Sequence, residues 1–213
     1  MALTMLSRRA ALACGAGLLI APTASFADSW CSDSDDDGGK ICTAGFPFDT
    51  LDTVRQAKPH WCWAACIQTI FASHGFVVPQ ERIVDKVFGN ETDRPASGPE
   101  ILSAINGRWM GDSGKDFSAE GLVLWDRMNA FERPDAIALA IKELSRGNPL
   151  LFATDRHTLV LTEMTYRNSP DGQITVDSLT VRDPWPDIPN RHPLPVAEIP
   201  KSGFFCGVHV DAA

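Results

Sequence analysis

Two cysteines one helical turn apart stand in the stretch His60-Trp61-Cys62-Trp63-Ala64-Ala65-Cys66. A thiol does covalent chemistry as a thiolate. Acyl chemistry by a thiolate then needs a histidine to take up and return the proton, a partner to orient that histidine, and donors for the developing oxyanion. Histidines, carboxylates and amides elsewhere in the chain are the candidates for these roles. His157 opens the apolar run from His157 to Met164, Asp183 begins Asp183-Pro184-Trp185-Pro186 just after a second such run, and Gln56 stands six positions before Cys62.

Positioning these groups is the task of the surrounding elements. From Trp61 to His74 apolar residues recur at helical spacing, with Pro59 ahead of the start and Gly75 at the end, so a mostly buried helix is predicted there. Cys62 then lies in the first turn, where free N–H groups and the positive end of the dipole lower a thiol pKa from about 8.5 into the range ~3.5–7.5. Further helices are predicted over Pro79–Phe88, over Gly98–Asn106 with Ser97 as cap, and over 134–146 with Pro134 in the first turn. After residue 147 the period changes. Strands are predicted at Pro149–Thr154, Thr158–Thr165 and Ile174–Arg182, the last two joined as a hairpin through Asn168-Ser169-Pro170-Asp171-Gly172, with a final short strand at Phe204–Val210. Helices first and an antiparallel sheet second make the class α+β. Adjacent hairpin strands would bring Asp183 to His157.

Cys66 faces the same side as Cys62, one turn deeper. Helical i and i+4 positions have Cβ atoms ~5–6 Å apart, against about 3.5–4.5 Å in a disulfide, so a Cys62–Cys66 bridge is not expected. Cys31, Cys42, Cys66 and Cys206 then allow three pairings. Cys31–Cys42 with Cys66–Cys206 is preferred, and a buried free Cys66 stays open beside it.

Taken together, Gln56, the Cys62-Trp63 pair six residues on, His157 on a strand and Asp183-Pro184-Trp185 after the next strand resemble the papain-like cysteine proteases. The Trp61–Ala65 form is similar to a bacterial branch with secreted and effector proteases, and more loosely to bacteriocin-processing peptidases. The resemblance covers roughly residues 51–185. It implies that Cys62 is the nucleophile, His157 the proton shuttle, Asp183 its orienting partner, and Gln56 an oxyanion donor with the Cys62 backbone N–H. Many papain relatives carry Asn where this chain has Asp183; the peptidase-processing branch carries Asp. Trp185 is expected to shield the His157–Asp183 pair, Trp61 is a candidate for the rim of the cleft, and both are expected to contact substrate. His60 is expected to line the cleft, while His74, His192 and His209 are given structural or surface roles. Acyl transfer or amide hydrolysis by the same site, and a non-catalytic binding module on the same fold, are the alternatives.

The 213 residues and 44% hydrophobic content suit one compact domain. Residues 1–27 read as an export signal: Arg8 and Arg9, an apolar run from Ala10 to Pro22, and Ser25-Phe26-Ala27 as cleavage site. Ser7-Arg8-Arg9 keeps a twin-arginine route open beside general secretion. A lipid anchor at Cys14 is disfavoured. A periplasmic or secreted location is therefore expected, with an acidic, Gly-rich lead-in over 28–50 and the peptidase domain over 51–213. Removing the signal takes the formal charge from −8 to −10, which disfavours a nucleic-acid partner. No remaining stretch has the roughly 20 apolar residues of a membrane span. A protein or peptide substrate and a monomeric chain are expected. No cofactor is expected, and no metal site: Cys and His lack structural zinc spacing, and Asp33-x-Asp35-x-Asp37-Gly38 has Ala44 where a calcium loop needs its bidentate Glu.

Overall fold

The structure, a computed structural model, describes residues 29–34, 36–45, 53–126, 131–154, 156–194 and 203–213. The expected export signal lies outside them. The described elements run β1 (Trp30–Cys31), β2 (Lys40–Gly45), α1 (Cys62–Ser73), α2 (Gln80–Phe88), α3 (Gly98–Ile105), β3 (Gly107–Met110), β4 (Asp116–Asp126), β5 (Phe131–Glu132), α4 (Ala136–Ser145), β6 (Leu150–Thr154), β7 (Thr158–Asn168), β8 (Ile174–Arg182), β9 (Arg191–Leu194) and β10 (Gly203–Ala212).

All the strands join one antiparallel sheet with the path β1-β2-β7-β6-β10-β4-β3, β5 pairing β4 and β8 pairing β7 and β9. β7 is long enough to hold three neighbours: β8 runs along one edge, while β6 pairs residues 158–161 and β2 pairs 163–168. Helices cover both faces, so the class is α+β. On one face α1, α2 and α3 pack over Leu151, Val160, Cys206 and Val208; on the other α4 packs over Leu150, Phe152, Leu161 and Phe205. Alternating residues of β6 and β10 divide between the two cores, as the period of a strand requires.

α1 is the central support. Eight of its residues, from Trp63 to Phe71, are buried, so it is apolar nearly all round and belongs inside the protein. α2 starts after Pro79 and ends on left-handed Gly89, and in α3 Glu100 Oε2 accepts from the Ser97 backbone N–H at 2.7 Å.

Several expectations shift. The predicted lead-in supplies β1 and β2, with Cys42 and Ala44 in the core. Gly45 closes β2 at φ +127, and a Cβ there would lie 2.1 Å from the Thr162 carbonyl oxygen, so only glycine lets the strand approach β7 this closely. β3 and β4 form a hairpin in a stretch with no predicted element: Phe117 and Ala119 alternate with exposed residues, but the pattern fails after Glu120. α4 begins at Ala136, so Pro134 lies before the helix rather than in its first turn. Cys31 and Cys42 sit opposite each other on β1 and β2 and form the expected disulfide. The preferred Cys66–Cys206 bridge is absent: both are buried free thiols, and the Cys66 S–H donates to the Thr158 carbonyl at 3.2 Å instead.

Candidate active site

Cys62 is the first residue of α1, half-buried, with Trp61 at the helix cap. His157 stands just before β7, and Thr154 at the end of β6 fixes it there. The Thr154 hydroxyl accepts from the His157 backbone N–H at 2.8 Å, and the Thr154 N–H donates to the His157 carbonyl at 2.7 Å. Asp183 follows β8. Because Val160 pairs with Arg182, the ends of β7 and β8 lie side by side, and His157 Nε2 reaches Asp183 Oδ1 at 2.8 Å.

With Nε2 on Asp183, Nδ1 is the nitrogen left for the Cys62 thiol. Burial pulls the His157 pKa down, but hydrogen bonds and charge from Asp183 and Cys62 outweigh it and lift it from 6.5 to about 9. Burial likewise pushes the Cys62 thiol up, yet the His157 hydrogen bond and charge, with contacts from Thr158, bring it below its ordinary value. Both displacements favour a thiolate–imidazolium pair, the form that attacks a carbonyl. Cys66, one turn deeper, moves the other way: burial first, then the charges of Cys62 and Asp183, keep it a neutral thiol.

Asp183 is held from several sides. Its Oδ1 also accepts the Trp185 backbone N–H at 2.8 Å, its own N–H donates to the Asn190 carbonyl at 2.9 Å, and its Oδ2 lies 3.4 Å from His192 Nε2. His192, expected to have a structural or surface role, stands on β9. The Trp185 ring meets the His157 ring edge-on at 6.1 Å and covers that side of the pair.

Arg55 carries no signal in the sequence beyond its place next to Gln56. Its Nη1 donates to the carbonyls of Asp183 and Ile188, each at 3.1 Å, and to that of Trp185. The Gln56 backbone N–H donates to the Pro184 carbonyl at 2.9 Å. The segment before Cys62 and the loop after Asp183 are thus tied together.

Gln56 and Trp61 differ from expectation. Gln56 is buried beside Asp183's loop, but its Nε2 donates to the carbonyls of Lys58 and Pro59 at 3.0 and 2.9 Å, so neither amide proton is free. Its Oε1 is buried without a partner among the described residues. Trp61, expected at the cleft rim, is 0% exposed and leaves a substrate nothing to touch. Its Nε1 donates to the Thr92 carbonyl at 2.9 Å, and Trp63 Nε1 reaches the Arg94 carbonyl at 3.3 Å, so the paired indoles fix the 92–94 loop from beneath. His60 is exposed against Asp93. A cleft of about 210 Å³ opens between Gln56, Lys58 and Pro59 on one side and Trp185, Pro186 and Asp187 on the other.

No protein-family model matches the chain, and no curated protein matches it in sequence. Among solved structures, it is similar to a double-glycine-motif protease from an AMS/PCAT transporter in complex with leader peptide, at 16% identity and TM-score 0.43 over 77% of this chain and 93% of that one. It is also similar to the peptidase domain of Streptococcus ComA, at 10% identity and TM-score 0.44 over 76% and 99%. A third similar structure is UfSP from C. elegans, at 16% identity and TM-score 0.45 over 82% of this chain and 33% of that one.

Proposed function

We propose that the chain is an exported papain-like cysteine peptidase acting on a protein or peptide. The observation that carries this reading is a single alignment of groups. Cys62 opens a buried helix beside an imidazole whose other nitrogen is bound at 2.8 Å to a carboxylate that is 3% exposed.

Cys62 attacks the scissile carbonyl as a thiolate, and the tetrahedral oxyanion takes a hydrogen bond from the Cys62 backbone N–H. His157, charged and oriented by Asp183, passes its proton to the leaving amine. It then draws a proton from water, which hydrolyses the acyl-enzyme and frees the thiolate. Gln56 is the second oxyanion donor in this reading, with one amide proton leaving Lys58 or Pro59 when the substrate arrives. Trp185 keeps water off the His157–Asp183 bond. Export is supported by residues 1–27 and is compatible with the Cys31–Cys42 disulfide. Among the described residues no helix is long and apolar enough to cross a membrane.

The test is iodoacetamide labelling of the chain beginning at Asp28, at about pH 6, where an ordinary thiol reacts slowly. Fast labelling at Cys62, lost in His157→Ala, is expected, followed by cleavage of a peptide library. An unreactive Cys62 would sink the mechanism and leave a non-catalytic module. Fast labelling with turnover only when an amine acceptor is supplied would replace hydrolysis by acyl transfer.

A further inference from the structure

A buried carboxylate needs donors on both oxygens, because each lone pair removed from water without a partner is costly. Asp183 meets this unevenly. Oδ1 accepts from His157 Nε2 and from the Trp185 N–H, each at 2.8 Å, whereas Oδ2 has one donor among the described residues, His192 Nε2 at 3.4 Å.

The juxtaposition follows from the sheet. His192 pairs with Val181, and Asp183 lies two residues beyond Val181, so the two side chains are diagonal neighbours on one face of the β8–β9 ribbon. His192 Nδ1 lies 3.1 Å from the Pro193 carbonyl. Both ring nitrogens thus face acceptors, and the carboxylate, charged and the stronger acceptor of the two, draws a ring proton to Nε2. The charged groups near it in the ladder are Asp183 itself, His157 beyond that carboxylate, and Arg191 next to it on β9, which meets Glu163 of β7 at 3.5 Å.

We propose that His192 is a positioning residue for the triad: its Nε2–H holds Asp183 Oδ2 and thereby keeps Oδ1 on His157. This rests on the cysteine-peptidase reading above. Without that donor the carboxylate turns about its Cβ–Cγ bond and its charge is less well held. The loss falls on proton transfer, hence on kcat, and leaves KM unchanged.

The experiment compares Cys62 alkylation rates from about pH 5 to 10 in the wild type, His192→Phe, His192→Gln, Asp183→Asn and His157→Ala. His192→Phe removes the donor while keeping a ring. It is expected to slow alkylation at pH 6 about tenfold and to raise the pH at which the thiolate forms; His192→Gln, which restores an N–H, recovers to within about threefold. With a cleaved peptide in hand, the loss should appear in kcat alone. Wild-type rates and profile in His192→Phe, with His157→Ala slow, would overturn the role of His192 and leave the peptidase reading intact. Wild-type rates in His157→Ala would overturn both. If His192→Phe fails to melt cooperatively, long-range ¹H–¹⁵N spectra of the wild-type ring decide: a proton on Nε2 that responds to Asp183→Asn supports the proposal, and a bare Nε2 overturns it.

Discussion

Replacing Asp183 by Asn separates charge from shape at the centre of the site. The amide can still accept from His157 Nε2 and from the Trp185 N–H, but the negative charge is gone. His157 stands at about 9 against an ordinary 6.5; a difference of about 2.5 pH units is at most roughly 3.4 kcal/mol in favour of the imidazolium. Asp183 and Cys62 share that effect, so removing one charge should lower the upper apparent pKa of the coupled Cys62–His157 pair by more than about one unit. At pH 8 the imidazolium, about nine-tenths populated when the pKa is 9, would fall to about one-tenth if it drops to 7. Stability follows the same sign. A raised histidine stabilises the fold fully below about pH 6.5 and loses that contribution as pH climbs through about 9, so the variant should lose more melting temperature at pH 7 than at pH 10. The assays are the pH profile of Cys62 alkylation and an NMR titration of the His157 ring. An upper apparent pKa within about 0.3 unit of the wild type would refute the electrostatic argument.

Four other outcomes are expected. Gln56→Ala should lower kcat on a peptide by about 10²-fold while leaving Cys62 alkylation at the wild-type rate, since an oxyanion donor acts only in the transition state; slowed alkylation would mean that Gln56 merely supports the loop. Arg55→Met should lower kcat about tenfold and speed hydrogen exchange at Trp185 and Ile188, whose loop it clamps, and unchanged exchange counts against the clamp. Trp61→Phe should cost about 1–3 kcal/mol in urea unfolding through the lost Thr92 bond and packing, with kcat per folded molecule unchanged; a raised KM with no loss of stability would return Trp61 to the substrate. Thiol titration of the denatured, unreduced chain from Asp28 should find Cys62, Cys66 and Cys206 free, and a single free thiol would restore the Cys66–Cys206 bridge.

The helix carrying Cys62 and the strands whose ends hold His157 and Asp183 were readable because their periods are strong: a buried 3.6 repeat with Pro59 and Gly75 at its ends, then runs of β-branched residues split by a Pro-Asp-Gly turn. What escaped the sequence depended on pairing across distance. Nothing local marks Lys40–Gly45 as a strand, since its partner β7 lies over a hundred positions away. His192 sits beside Pro193, which reads as loop, and only the register of β9 on β8 carries it to Asp183. Trp61 and Trp63 look alike in sequence as aromatic flanks of a cysteine; it is the indole bonds to Thr92 and Arg94 that fix both indoles as buried supports.

The pairing of β2 with β7 also bears on the order of folding. Lys40 meets Asn168 and Gly45 meets Glu163, so the first long described strand to be synthesised has its place in the sheet only after all four described helices have followed it. Until then Ile41 to Gly45 presents unpaired backbone on both edges, the kind of segment that associates with other chains. The β1–β2 ribbon, closed by a disulfide spanning 11 positions, can form early and cover one of those edges. The sequence-distant pairing makes for slow completion of the sheet, and the short covalent hairpin protects the waiting strand.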